Sequence, residues 1–301
     1  MLPILSKIPI QKINTEILTE NGIHLYVKRE DLIHPEISGN KWRKLKYNLI
    51  QAKQEECNTI LTFGGAYSNH IAATAAAGFK TGFSTHGIIR GEETLPLNST
   101  LLLARKNGMT LSFVSREEYR KKTDSKEVKS IISKIYKPFV IPEGGSNELG
   151  VLGCEEICDL ESDYDVLVSA CGTGSTLAGI INGMSENQYA IGFPALKNAS
   201  FLNEKIKSFL KGKNINWHLE LNYHFNGYAK QSPELIEFIQ QFWTLHGIKL
   251  DPIYTSKAMF GLFELIKKGE LKNKKILFIH TGGLQGVSGF ESRYKVILFP
   301  S

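Results

Sequence analysis

Lys41 stands in the segment SGNKWRKLKY at 38–47, where an amine can do covalent chemistry. Lys41, Arg43, Lys44 and Lys46 crowd the opening turns of a predicted helix whose apolar side is Leu45, Leu49 and Ala52. Cations at a helix N-terminus oppose the macrodipole, so the placement is unfavourable unless an anion compensates, and it lowers the proton affinity of a lysine held there. Such an amine can attack an aldehyde and form a Schiff base; the plainer alternative is an exposed basic turn. A second segment, CGTGST at 171–176, suits a phosphate. Gly172 and Gly174 let the backbone approach an anion, and Ser175 and Thr176 add hydroxyl donors where a helix begins. Leu177 stands where a dinucleotide fingerprint needs its third glycine, and the Gly-Lys-Ser/Thr of a Walker loop is absent. A single phosphate monoester fits better, the alternative being a tight strand-to-helix turn. In the third segment, GGAYSNH at 64–70, Ser68 and Asn69 are good helix caps that also aim polar groups and backbone N–H groups at one crevice. His70 reads as a positioning or packing group.

These segments need elements to carry them. Short β-branched runs alternate with longer helical patterns, the signature of an α/β protein with mainly parallel sheets. Strands are predicted at 24–27, 59–63, 81–88, 110–114, 139–141, 165–170, 189–192 and 275–280. Helices are predicted at 41–54, 68–77, 99–107, 125–136, 175–184, 233–246 and 257–268. Three strands run into glycine-bearing turns, GGAYSNH, CGTGST and TGGLQG. Ligands of open α/β sheets bind beyond the carboxyl ends of the strands, so three such turns can build one site.

The chain has 301 residues, 42% of them hydrophobic, which is enough for about two domains with ordinary cores and excludes disordered and miniprotein classes. No apolar stretch approaches the roughly 20 residues of a membrane helix, and MLPILSKIPIQK is a poor signal peptide, so a cytoplasmic location is expected. Cys57, Cys154, Cys158 and Cys171 form no CxxC pair and read as small buried hydrophobes in a reducing compartment; no metal site is expected. The net charge of +6 is scattered rather than striped, which argues against a nucleic-acid partner.

GNK followed by RK, GGxxSNH, GTGST and a terminal HTGG, in this order, together resemble the pyridoxal-phosphate enzymes of the tryptophan-synthase-β fold type (fold type II). Within them the likeness is to the 1-aminocyclopropane-1-carboxylate deaminase and D-cysteine desulfhydrase family, over about 28–289. The resemblance implies two open, mainly parallel-sheet α/β domains. The larger, cofactor-binding one would comprise 1–44 and 151–301, and the smaller 45–150. It implies that Lys41 carries pyridoxal 5'-phosphate covalently, with Lys44 near the phosphate and Gly172, Thr173, Gly174, Ser175 and Thr176 around it. Asn69 would stand beside the cofactor's phenolic oxygen, Ser68 would meet the substrate carboxylate, and Tyr228 and Tyr254 would line the substrate pocket. Thr255 and Thr281, which the resemblance places at the cofactor with Thr281 on its pyridine nitrogen, depart from the deaminase branch, which carries a glutamate after the pocket tyrosine and a leucine before the paired glycines; both differences point toward the desulfhydrase branch. A threonine hydroxyl supports a protonated pyridine nitrogen less than a carboxylate does, and loss of a thiol asks less of the ring than opening an unactivated cyclopropane. IAAT after His70, where several relatives have an arginine and a glutamine, is a further departure, and it bears on which amino acid is taken.

The expected function is therefore a pyridoxal-phosphate lyase or deaminase of a small amino acid, with D-cysteine desulfhydrase first and 1-aminocyclopropane-1-carboxylate deaminase second. A non-catalytic phosphate-ligand binding module is the alternative from another class. A homodimer is expected from the family alone.

Overall fold

The computed structural model describes residues 7–158, 163–212 and 216–300. Residues 1–6, which open the segment read as a poor signal peptide, lie outside them. In chain order the strands are β1 (Ile10–Ile13), β2 (His24–Lys28), β3 (Thr59–Gly64), β4 (Ser84–Arg90), β5 (Met109–Val114), β6 (Pro138–Ile141), β7 (Val166–Cys171), β8 (Tyr189–Pro194), β9 (Trp217–Leu219) and β10 (Lys275–Ile279). They form two sheets, one of order β1-β2-β10-β7-β8-β9 and one of order β5-β4-β3-β6. Every pairing is parallel except β1 with β2, which are antiparallel at the edge.

Parallel strands covered by helices on both faces bury both of their sides, and β7 does so along its whole length. Because side chains alternate, Val166, Val168 and Ala170 enter one core with the helices Pro233–His246 and Thr255–Lys267. Leu167 and Cys171 enter the opposite core with the helix Ser175–Gly183. In the smaller sheet the helix Asn69–Thr81 is buried along most of its length, and Ala73, Ala76 and Ala77 pack toward the helix Asn40–Gln54 while Ile71 and Ala75 pack toward the helix Ser99–Lys106. Alanine is what allows a helix to be packed from several sides.

Two of the differences from these expectations have a clear physical cause. The strand predicted at 81–88 is β4, starting at Ser84, because Thr81 ends the preceding helix and Gly82, at φ 81°, caps it with its N–H on the Gly78 carbonyl. The helix Glu148–Glu155 was not expected, since Gly150 and Gly153 argue against a helix on propensity. Packing requires both: a Cβ on Gly153 would lie 1.9 Å from the Arg43 carbonyl oxygen, and one on Gly150 would lie 2.1 Å from that of Gly145. Gly179 repeats the device one helix further on, its would-be Cβ 2.4 Å from Cβ of Cys154. The helices starting at Asn40, Glu148 and Ser175 are thereby held close together, which brings the Lys41 segment to the 171–176 turn. No helix among the described residues is long and apolar enough to cross a membrane.

Candidate active site

The carboxyl ends of strands from both sheets open on one cavity of about 740 Å³, within the range of small-molecule sites. Lys41, Lys44, Ser68, Asn69, Gly172, Thr173, Gly174, Thr176, Tyr228, Tyr254 and Thr281 line it. Two predicted site residues do not. Ser175 is buried with its hydroxyl 3.1 Å from that of Thr173. The Thr255 hydroxyl is buried too, donating to Asp251 Oδ1 at 2.7 Å and accepting from the Asp251 N–H at 2.8 Å. Thr255 thus closes a helix cap rather than facing a ligand.

The four cations of the 38–47 segment are sorted by their partners. Arg43 meets Glu30 through two hydrogen bonds of 3.0 and 3.1 Å and Glu156 at 3.2 Å, and Lys46 pairs with Glu156. Lys41 and Lys44 have only neutral oxygens: Lys41 Nζ donates to Asn40 Oδ1 at 2.8 Å and Lys44 Nζ to the Gly144 carbonyl at 3.0 Å. The two amines of the segment that form no ion pair among the described residues are the two that line the cavity. Burial, and secondarily Lys44, lowers the Lys41 pKa to about 7, because a buried ammonium loses its hydration. Burial lowers that of Lys44 as well.

Asn40, not among the expected site residues, joins the motifs. Its Nδ2 donates to Thr176 Oγ1 at 2.9 Å, so one side chain links the Lys41 amine to the glycine turn, and its backbone N–H donates to the Thr281 carbonyl at 3.1 Å. Gly39, at φ 63°, must be glycine here, because a Cβ would lie 1.9 Å from that carbonyl oxygen. Gln285 of the TGGLQG turn donates to Asn69 Oδ1, tying the GGAYSNH turn to the end of β10. Asp251 fixes Tyr254, accepting from the N–H groups of Ile253, Tyr254 and Thr255 at 3.0, 3.0 and 2.7 Å. The Tyr254 ring lies against Gly172, where a Cβ would come within 3.1 Å of it, and meets the Tyr228 ring edge to face at 5.9 Å. Burial raises the pKa of both phenols, that of Tyr254 most.

Ser68 caps its helix, accepting from the Ile71 N–H at 3.3 Å. His70 is buried, its Nε2 2.9 Å from Thr62 Oγ1. Since that hydroxyl donates to the Ile141 carbonyl at 2.8 Å, the ring must donate to it. Burial and the two lysines hold His70 well below its ordinary pKa, so it is a neutral wall of the cavity. Asn40, Asp251, Gln285 and the rim residue Arg90 escaped the sequence reading; Arg90 could have been found from its place at the carboxyl end of β4.

The donor set fits a phosphate-bearing aldehyde. A helix start with Gly174 in the left-handed region leaves backbone N–H groups for the anion, and a linked amine of low proton affinity stands ready for the carbonyl.

Comparison with known proteins agrees. Residues 5–282 match a family described as pyridoxal-phosphate dependent enzyme. The chain is 37% identical over 286 residues to a Pyrococcus furiosus protein provisionally named 1-aminocyclopropane-1-carboxylate deaminase, covering 88% of this chain and 86% of that one. It is 34% identical over 298 residues to the Arabidopsis thaliana bifunctional D-cysteine desulfhydrase/1-aminocyclopropane-1-carboxylate deaminase, mitochondrial, covering 89% and 74%. A crystal structure of an ACC deaminase homologue superposes with a TM-score of 0.83 at 31% identity, covering 96% of this chain and 93% of that one.

Proposed function

The chain belongs to the pyridoxal-phosphate dependent enzymes, and on that premise we propose that it is a lyase acting on small amino acids, first of all D-cysteine. Water and D-cysteine would give pyruvate, sulfide and ammonia. The observation that supports the choice of substrate is the Thr281 hydroxyl in the cavity wall, which the family resemblance assigns to the ring nitrogen and which stands where the deaminase branch has a leucine, with no free carboxylate beside it among the described residues. The carboxylates that could take its part are engaged elsewhere. Asp251 gives both oxygens to its own helix cap, and Glu143, the one acid among the lining residues, pairs with Lys122 at 2.7 Å. A neutral partner suits expulsion of a good leaving group such as a thiol better than opening of a cyclopropane.

Bound at this site, the cofactor supplies an aldehyde and a conjugated electron sink. Lys41 and the 172–176 turn are the proposed holders of its two ends, with Lys44 beside the turn. At neutral pH a large share of Lys41 is unprotonated, as both covalent attachment and removal of an α-proton require. Tyr254 and Tyr228 keep their protons, which makes them donors to the substrate and leaves the base role to Lys41. Ser68 and the free N–H groups where the helix Asn69–Thr81 begins would orient the substrate carboxylate.

The names of the relatives favour a second reading, 1-aminocyclopropane-1-carboxylate deamination to 2-oxobutyrate. Assaying sulfide from D- and L-cysteine beside 2-oxobutyrate from the cyclopropane decides between them; inert D-cysteine would end the desulfhydrase assignment and leave the cofactor assignment standing. Borohydride reduction of the loaded protein followed by peptide mapping should place the adduct on Lys41, and an adduct on another lysine would refute the site. Unchanged cofactor affinity in Lys41→Ala would favour a binding module without catalysis. We also propose, from the family likeness, a homodimer, which light scattering tests. The four free thiols support the reducing, cytoplasmic setting proposed for it.

A further inference from the structure

Lys257 lies in the first turn of the helix Thr255–Lys267, and it is 1% exposed. Among the described residues no carboxylate pairs with it. Its Nζ donates instead to two carbonyls of one loop, that of His224 at 3.0 Å and that of Gly227 at 2.7 Å. Burying an ammonium costs free energy that two carbonyl partners only partly offset, and a methionine would fill the same space.

The loop needs such a tie. Phe225, Asn226, Gly227 and Ala229 have φ of 50°, 63°, 113° and 53°, and left-handed backbone at non-glycine residues costs about 1–2 kcal/mol each. Tyr228 stands in the middle of this run and lines the cavity. Its other side is held by Tyr294, whose hydroxyl donates to the Ala229 carbonyl at 2.7 Å. Lys257 therefore connects both pocket tyrosines: Tyr254 is three residues before it on its own chain segment, and Tyr228 is carried by the loop it ties down.

We propose that Lys257 is a positioning residue that sets Tyr228 against Tyr254 by anchoring the 224–227 carbonyls, and so governs how tightly the amino-acid substrate is held. This rests on reading the cavity as an amino-acid site, but one arm of the test does not. In the cofactor-loaded protein, amide exchange across 224–230 should quicken about tenfold or more in Lys257→Met, the expected effect of losing two charge-assisted hydrogen bonds. Lys257→Gln, which keeps an uncharged N–H₂ donor one bond shorter and so retains part of the tie, should fall in between. With D-cysteine the Met variant should raise KM about tenfold with a smaller fall in kcat, and adding Tyr228→Phe should cost little more, since both changes act through one ring. Equal exchange in wild type and both variants, or identical behaviour of Met and Gln, would overturn the proposal, as would losses for Lys257→Met and Tyr228→Phe that simply add. If the Met variant fails to fold, the Gln variant and Tyr294→Phe, which releases the opposite side of the loop, carry the same comparison. Inert D-cysteine with exchange altered as expected would count against the substrate assignment and for the anchor.

Discussion

At the scale of single residues the site turns on two lysines that form no ion pair among the described residues, beside two basic residues that do. The pKa of Lys41, lowered to about 7 mainly by burial, gives a signed prediction. Attack on an aldehyde needs the free amine, so pyridoxal phosphate should attach to cofactor-free protein faster as pH rises, levelling off not far above 7, whereas an ordinary lysine would keep accelerating toward its usual pKa of about 10.4. Stopped-flow absorbance between pH 5.5 and 9.5 measures this; a rate still climbing at the alkaline end would refute it. Asn40→Ala removes the side chain that links Lys41 Nζ to Thr176. Loss of these hydrogen bonds, at about 0.5–1.5 kcal/mol each, should weaken cofactor affinity by roughly tenfold while leaving the fold intact, as equilibrium titration would report.

Among elements, the decisive contact is that of the helices beginning at Asn40 and Glu148. Gly153→Ala would drive a methyl group into the Arg43 carbonyl, which backbone hydrogen bonding keeps from yielding. Overpacking of this kind costs about 1–3 kcal/mol, and the upper end is expected because the obstacle is main chain. The melting midpoint should fall by several degrees. Cofactor affinity should fall with it, because the displaced helix carries Lys41 and Lys44. Gly108→Ala is a useful control: nothing lies within 4 Å of its would-be Cβ, so only its left-handed φ is strained. Equal cofactor affinity in the two variants would remove the link between helix spacing and the site.

For the whole molecule, the cavity joins turns from two sheets, and the hydrogen bonds that link them include Gln285 to Asn69, which ties the smaller sheet's GGAYSNH turn to the end of β10, and Thr100 to Gln285. We propose that the 45–150 unit closes on the rest when a substrate bridges Ser68 and the tyrosines, excluding water. Small-angle scattering of the loaded enzyme should show a smaller radius of gyration with a non-reacting amino acid than without, and no change would refute closure. Loading itself should raise stability by about 2.7 kcal/mol at a cofactor concentration a hundred times Kd, seen as a higher melting midpoint that Lys41→Ala diminishes.

Much of this was legible in the chain before any fold. Parallel α/β architecture follows from alternating buried strands and helices, and the GNK, SNH, GTGST and HTGG segments carry their chemistry in residue types that local sequence displays. Lys41 is recognisable because cations seldom open a helix, but its desolvation depends on what surrounds the amine, and that is not a local property. The helix Glu148–Glu155 was hidden because its glycines answer to a neighbouring helix rather than to their own propensity. Thr255 follows the pocket tyrosine in sequence, but its hydroxyl turns to Asp251 because that carboxylate caps the same turn. Asn40, Gln285 and Lys257 act on partners 136, 216 and about 30 residues away, and only the folded chain decides which donor meets which acceptor over such separations, because hydrogen bonds are selected by distance in space.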